Sequence, residues 1–102
     1  MVATVSVAYK AGKFDMEYYL KTHMPLVQKT WAPFGLKSWK VVQYTDPESP
    51  YAVQALLEWD DLAQWEKAST SAEAASVFGD ITNFTDVKPD KLQGTVVGGA
   101  SC

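Results

Sequence analysis

The sequence KSWKVVQYTDPESPYAVQALLEW at residues 37–59 contains two strand-like stretches joined by a turn. Residues 37–45 are rich in Val, Tyr and Trp, and residues 51–59 alternate between a fully apolar face and a mixed one. The connection between them, DPESP, consists of turn formers and is short enough for a hairpin. This stretch therefore predicts two adjacent antiparallel strands.

Two further strands and two helical regions flank this hairpin. Residues 2–9 alternate in polarity and predict a first strand, while residues 85–97 predict a last strand or arm at a sheet edge. Residues 14–35 and 60–83 carry apolar side chains at helical spacing. The predicted order is βαββαβ, an α+β fold of the ferredoxin-like kind, with a four-stranded antiparallel sheet and helices on one face.

The first helical region contains a start signal and a break. Asp15 is a good N-cap, and Phe14 and Tyr19 have the spacing of a hydrophobic staple. Pro25 lies inside the helical pattern, where it cannot donate a backbone hydrogen bond and its ring pushes against the preceding turn. We therefore expect the helix to kink or restart near residues 23–24.

Composition limits the class of protein. The chain has 102 residues, which is the size of one domain, so we expect a single domain over residues 1–102. Nine Lys, no Arg and twelve carboxylates give a net charge of −3, which argues against nucleic acid and anionic membranes as partners. Cys102 is the only cysteine, and no stretch resembles a signal peptide or a membrane span. These features predict a cytoplasmic protein.

The sheet face that the helices leave uncovered predicts a homodimer. The candidates for that face are Leu56 and alternate residues of the second strand, either Trp39, Val41 and Gln43 or Lys40, Val42 and Tyr44. Apolar side chains there would form a patch that monomers seldom expose. The same face of a second copy would cover it and close a two-fold α+β barrel. The alternative is a monomer with a polar sheet face.

His23 is the only histidine and lies on the apolar stripe of the first helical region. A buried imidazole requires a polar partner, and its pKa suits proton transfer at neutral pH. We therefore predict a general acid or base in a pocket between helix and sheet. The alternative is a core histidine bonded to a backbone carbonyl that Pro25 leaves free.

Tyrosines and other aromatic residues complete the candidate site. Tyr19 and Tyr44 are assigned to catalysis beside His23, because a phenol can orient a ligand oxygen; the alternative for each is ring packing alone. No metal or cofactor is predicted, since one His and a terminal Cys do not make a zinc site and no glycine-rich phosphate loop is present. The predicted substrate-binding residues, for which core packing is the alternative, are Tyr9, Phe34, Trp39, Trp65, Phe78 and Phe84.

The sequence FDMEYYLKTHMPL at residues 14–26 resembles the first-helix motif of the EthD family, a family of small dimeric α+β-barrel proteins. In the second helical region, VFGDITNF at residues 77–84 is similar as well, through Phe78, Asp80 and Phe84. The resemblance covers nearly the whole chain. The matching positions of the first motif are Phe14, Tyr18, Tyr19, His23, Pro25 and Leu26.

The resemblance implies a ferredoxin-like fold that dimerises through its sheets and holds a small apolar cavity between helices and sheet. It also implies an oxidoreductase by association, within a superfamily that includes monooxygenases, lactone isomerases and polyketide cyclases or dehydratases. We predict an enzyme without a tightly bound cofactor that acts on a small hydrophobic or aromatic compound through His23. The alternatives are a small-ligand-binding or accessory module and a purely structural domain.

Overall fold

A computed structural model describes residues 2–102 and contains a four-stranded antiparallel sheet with helices packed on one face. The strands lie in the order β2-β3-β1-β4, and the chain order of elements confirms the predicted βαββαβ fold. The strands are β1 (Ala3–Tyr9), β2 (Ser38–Gln43), β3 (Val53–Trp59) and β4 (Asp90–Thr95). The helices are α1 (Met16–Tyr18), a π-helix (Tyr19–His23), α2 (Met24–Trp31), α3 (Leu62–Thr70) and α4 (Ala74–Gly79), with 3₁₀ turns at Ala32–Phe34 and Ile81–Asn83.

The register of the sheet decides which side chains meet the helices. Leu57 of β3 lies opposite Val5 of β1 and Trp39 of β2. Because side chains alternate along a strand, this row and every second row face the helices. Val53 and Trp59 belong to the same face of β3 and are buried. The fully apolar face predicted for this strand is therefore the floor of the core.

The start of the first helical region confirms its capping signals. Asp15 Oδ1 accepts a hydrogen bond from the backbone N–H of Tyr18 at 3.1 Å. The rings of Phe14 and Tyr19 pack edge to face, with centroids 4.9 Å apart, as the hydrophobic staple predicts.

The break at Pro25 takes the form of a π-helix over Tyr19–His23. Pro25 cannot donate to the carbonyl of Lys21, so the preceding turn widens. In this wider turn the N–H of Met24 reaches the carbonyl of Tyr19, and α2 starts afresh with Pro25 in its first turn. Both Tyr19 and His23 are buried by this geometry, four residues apart on one side of the helix.

Among residues 2–102, no helix covers the opposite face of the sheet. Lys40, Leu56, Ser6 and Leu92 form one row across it. Val2, Tyr44, Leu92 and Val96 are the larger apolar or aromatic side chains that stand exposed on this face. We call this surface the open face.

Within residues 2–102, no helix has the length and apolar character needed to cross a bilayer.

Candidate functional site

A small cavity lies between the sheet, the first helical region and α4. The sheet contributes Val7, Ala55 and Leu57, while α4 and the 3₁₀ turn after it contribute Val77, Phe78 and Ile81. The space open to the centre of a water-sized sphere is about 20 Å³. A site needs roughly 10–15 Å³ on this measure to hold one water, so the cavity has room for one or two waters.

His23 lines this cavity and is 4% exposed. Its Nδ1 lies 2.9 Å from Oδ2 of Asp80, whose side chain is itself only 11% exposed. Asp80 stands at the end of α4, immediately before the 3₁₀ turn Ile81–Asn83. The polar partner of the histidine is therefore a carboxylate from the second helical region. The backbone carbonyl expected in the alternative interpretation does not fill this role.

Two more side chains hold the Asp80 carboxylate. The hydroxyl of Tyr18 donates to Oδ1 at 2.6 Å, and the side-chain amide of Asn83 donates to the same oxygen at 2.9 Å. Burial opposes ionisation of Asp80, but the hydrogen bonds from Tyr18, Asn83 and His23 outweigh it. They hold the pKa of Asp80 below its ordinary value, and the carboxylate is ionised at neutral pH.

The protonation of His23 follows from this arrangement. Burial lowers the pKa of His23 below its ordinary value of 6.5, and the Asp80 carboxylate only partly offsets that effect. The neutral ring carries one hydrogen, and this hydrogen is on Nδ1 because an ionised carboxylate can only accept. The Nε2 lone pair is therefore available as a base. An aspartate that orients a histidine in this way is the arrangement of hydrolytic triads.

Tyr9 and Tyr19 bring two phenols to the same cavity. Each residue is 1% exposed, and neither hydroxyl has a hydrogen-bond partner among residues 2–102. The ring of Tyr19 is nearly parallel to that of His23, with centroids 5.5 Å apart. The indole N–H of Trp31, which also lines the cavity, is a buried donor without a partner in the described part of the chain. The cavity is thus apolar overall, with a few polar groups left unpaired.

Comparison with known proteins reveals the fold through solved structures. No protein-family model matches the sequence. No curated protein matches it either. An EthD-like protein from Ralstonia eutropha JMP134 has a TM-score of 0.82 at 24% identity, covering 98% of this chain and 96% of its own. The chain has the fold of the EthD-like proteins.

Two other solved structures support this assignment of the fold. An ethyl tert-butyl ether D (EthD) family protein from Bacillus halodurans C-125 has a TM-score of 0.77 at 23% identity, covering 95% of this chain and 100% of its own. A dimeric ferredoxin-like protein of unknown function from Jannaschia sp. CCS1 has a TM-score of 0.67 at 13% identity, covering 93% of this chain and 98% of its own. The EthD resemblance seen in the sequence is thus confirmed at the level of the fold.

Some of the predicted site residues converge in this EthD-like fold. His23, Tyr9, Tyr19 and Phe78 all line the cavity. Phe84 packs behind His23, with ring centroids 4.6 Å apart. Phe78 also carries the Nζ of Lys91 on its ring, 4.3 Å from the centroid, so a cation stands at the edge of the cavity wall.

The other predicted site residues lie elsewhere. Trp65 packs against Trp31 in the core, and its indole N–H donates to Gln93 at 3.1 Å. Phe34 faces an outer groove beside α4. Trp39 lies at a sheet edge and donates to the side chain of Gln28 at 3.0 Å. Tyr44 is on the open face, where its hydroxyl bonds to Gln54. The structure therefore separates Tyr44 from His23 by the thickness of the sheet.

The sequence alone did not identify Asp80, Tyr18 and Asn83 as candidate site residues. Asp80 enters the sequence analysis only as one of the residues that carry the EthD resemblance, because it lies 57 residues from His23 in the chain. A usable signal exists: Asp80 and Asn83 are three residues apart in VFGDITNF, a short polar pair between aromatic residues. Within residues 2–102, the fold brings no three His, Cys, Asp or Glu side chains together as a metal site.

Proposed function

We propose that this protein is a small acid–base enzyme in which His23 moves a proton on a hydrophobic or aromatic compound bound in the cavity. The observation that carries the proposal is the 2.9 Å contact between His23 and Asp80 at the wall of an otherwise apolar cavity. A structural histidine needs one partner only. This one has an anionic partner that is itself held by Tyr18 and Asn83, which is the support a working base requires.

Each member of the cluster has a defined task in this proposal. His23 Nε2 accepts a proton from the ligand and later returns one. Asp80 fixes the tautomer and stabilises the imidazolium that forms in between. General acid–base help of this kind contributes roughly 10²- to 10⁴-fold in rate. It suits enolisation, isomerisation, cyclisation, dehydration or the oxygenation of an activated phenolate.

Ligand entry requires the cavity to expand, because about 20 Å³ holds no organic molecule. The sheet is a rigid floor, whereas α4 and the turn after it form a short, separately hydrogen-bonded segment. An outward shift of this segment would move Val77, Phe78 and Ile81 and enlarge the cavity. Asp80 belongs to the same segment, so its bond to His23 would reform as the site closes over a ligand.

We further propose that the protein is a homodimer that pairs its open faces. The exposed apolar side chains Val2, Tyr44, Leu92 and Val96 share that face, and a patch of this kind is typical of an interaction surface. The occupant that fits best is a second copy, since Lys40 and Glu58 on the same face supply opposite charges for a two-fold pairing. The dimeric ferredoxin-like protein of Jannaschia supports this proposal through its shared fold.

The test of the acid–base proposal compares four proteins: wild type, His23→Gln, Asp80→Asn and the control Asp86→Asn. Each is screened by thermal shift against small phenols, lactones and catechols, and the stabilising compounds are assayed for turnover. A ligand at a hundred times its dissociation constant stabilises by about 2.7 kcal/mol, which a melting curve resolves. We expect His23→Gln to remain folded and to lose roughly 10²- to 10⁴-fold in turnover, and Asp86→Asn, an exposed carboxylate, to match wild type.

Two results would contradict the proposal. One is full turnover by a folded His23→Gln protein. The other is tight ligand binding by the wild type with no conversion of any compound, which would instead support the alternative function of a non-catalytic binding or accessory module.

A further inference from the structure

We propose that Tyr9 and Tyr19 form a pair of hydrogen-bond donors for one substrate oxygen, and that the substrate class is therefore a neutral carbonyl compound with an acidic C–H. This inference rests on the proposed acid–base function and deepens it. It specifies the functional group that the ligand must carry, and it assigns to Tyr9 and Tyr19 a role that the His23–Asp80 pair does not fill.

The first support is the presence of two phenols without hydrogen-bond partners on the cavity wall. Tyr9 and Tyr19 are each 1% exposed, yet neither hydroxyl has a hydrogen-bond partner among residues 2–102. An unpaired hydroxyl on the wall of an apolar cavity is available to donate a hydrogen bond to a ligand. Both residues line the cavity, and a ligand oxygen bound there would satisfy them.

The second support is the arrangement of the rings. Tyr19 stacks on His23 with an interplanar angle of 14°. Tyr9 meets Tyr19 edge to face, with centroids 6.0 Å apart and an interplanar angle of 82°. The two phenols and the imidazole therefore border one corner of the cavity. A ligand that places a C–H against His23 would bring an oxygen on the neighbouring carbon close to the phenols.

The third support is the charge of the phenols. Burial raises the pKa of Tyr9 and of Tyr19 far above the ordinary value of 10, and the neighbouring Tyr19 raises the pKa of Tyr9 further. Both therefore stay protonated and act as donors at any physiological pH. Protonated phenols stabilise an oxyanion more than a neutral carbonyl, which is the differential interaction that catalysis requires.

The wall of the cavity also excludes other substrates. The residues that line it supply no Lys and no carboxylate, within the part of the chain that the structure describes. A carboxylate or phosphate ester would lose its hydration there, and the Lys91 ammonium beside the wall lies over the Phe78 ring and is not among the residues that line the cavity. A neutral carbonyl compound enters without that cost and acquires negative charge only as it reacts.

The step itself conserves atoms and electrons. His23 Nε2 takes the proton from the carbon next to the carbonyl, and the C–H electron pair forms a C=C bond. The carbonyl π pair moves onto oxygen, where Tyr9 and Tyr19 donate to the resulting enolate. The imidazolium then returns its proton to the same carbon, which gives exchange, or to a conjugated carbon, which gives isomerisation. No oxidant or reductant takes part.

The first experiment uses 4-nitrophenol, because its phenolate resembles an enolate oxygen on a planar ring and its colour reports ionisation. We expect wild type to bind it at millimolar concentration or below and to favour the phenolate form. Tyr9→Phe and Tyr19→Phe keep the ring packing and should each weaken binding about tenfold, the effect of losing one hydrogen bond of about 1.4 kcal/mol to a charged oxygen. Tyr51→Phe is the matched control, since the Tyr51 hydroxyl bonds to Asp90 away from the cavity and the substitution should change nothing.

The second experiment measures exchange of α-hydrogens for deuterium in cyclohexanone and γ-butyrolactone by NMR in D₂O. We expect wild type to accelerate exchange in at least one of them, and each cavity Tyr→Phe variant to reduce the rate about tenfold or more without lowering the melting temperature.

The outcomes separate this inference from the proposed function beneath it. In one outcome, both cavity Tyr→Phe variants keep normal nitrophenol binding and normal exchange rates, while His23→Gln loses exchange activity. This result would overturn the oxyanion role and leave the acid–base function standing. Unchanged ionisation and exchange in His23→Gln would overturn both. Absence of nitrophenol binding, or of any exchange, by the wild type would also overturn the assignment of the substrate class.

Discussion

At the scale of single residues, the site depends on a histidine placed where an apolar side chain would be easier to bury. The imidazole of His23 has a polar partner at Nδ1, which lies 2.9 Å from Oδ2 of Asp80, while the ring packs against Tyr19 and Phe84. Both carboxylate oxygens of Asp80 in turn accept hydrogen bonds. These bonds favour a single geometry of the network, and Nε2 is the ring nitrogen of His23 that they leave for a ligand.

The first prediction concerns the coupling between Asp80 and His23. Because the carboxylate raises the pKa of His23 against the effect of burial, Asp80→Asn should lower that pKa further. It should also reduce turnover by about 10²-fold or more, since an amide can accept or donate and no longer fixes the tautomer. The measurement is an NMR titration of the ring C–H signals, which are unambiguous because His23 is the only histidine. Asp86→Asn is the control, and a higher His23 pKa in Asp80→Asn would contradict the prediction.

The second prediction concerns stability and pH. The pKa of His23 is lower in the folded chain than its ordinary value of 6.5, so the unfolded chain binds more protons just below that pH. The contribution of His23 to stability is therefore fully present above pH 6.5 and is lost as the pH falls toward the folded pKa. Denaturant melts between pH 7.5 and 5.5 should show this decline, and His23→Gln should flatten it. An increase in wild-type stability over the same fall in pH would contradict the assignment.

At the scale of elements, the π-helix places the site. A regular α-helix through Pro25 would lose a hydrogen bond and force the proline ring against a carbonyl. The widened turn over Tyr19–His23 avoids this and adds a residue to the turn, which changes the angle between Tyr19 and the side chains that follow. Pro25 thus determines how the side chains of Tyr19 and His23 are oriented on the first helical region.

The third prediction follows from that dependence. Pro25→Ala removes the reason for the wide turn, so the helix can relax to regular α geometry and His23 should rotate away from Asp80. We expect the melting temperature to stay the same or rise, because Ala restores a backbone donor and is a better helix former, while turnover falls about tenfold or more. Because this rotation would also expose the ring to water, and burial is the larger influence on it, the pKa of His23 should move toward 6.5. Pro33→Ala, in the 3₁₀ turn after α2, is the matched control and should leave the pKa unchanged. Loss of stability together with full activity would contradict the role given to Pro25.

At the scale of the whole molecule, local sequence signals predicted the fold. The candidate site depends on long-range contacts, which such signals do not reveal. The Asp15 cap, the break at Pro25 and the alternation along β3 are short-range features, and each is confirmed. Asp80 lies 57 residues from His23 in the chain, so no spacing rule brings them together. Tyr44 shows the related difficulty, because the face on which a strand residue falls depends on a register that sequence does not fix. The alternation within a strand was predictable from the sequence. Which alternate residues of β2 face the helices was not.

The fourth prediction concerns the open face as the surface that pairs two copies. Leu92 is 49% exposed on that face, and Leu20 is 43% exposed on the π-helix, away from the sheet. The two leucines therefore allow the same change, Leu→Lys, to be made with nearly equal exposure at different surfaces. If two sheets pair through their open faces, Leu92→Lys buries a charge in the interface and should raise the dimer dissociation constant about tenfold or more, whereas Leu20→Lys should leave it unchanged.

Sedimentation equilibrium over a range of protein concentrations measures both dissociation constants directly. A monomeric wild type at all concentrations would contradict the dimer itself. Equal effects of the two leucine substitutions would show that the copies meet through another surface. A dimer sensitive to Leu92 alone would show that the two faces of each sheet have separate tasks: the helical face borders the cavity, and the open face supplies the contact between the two copies.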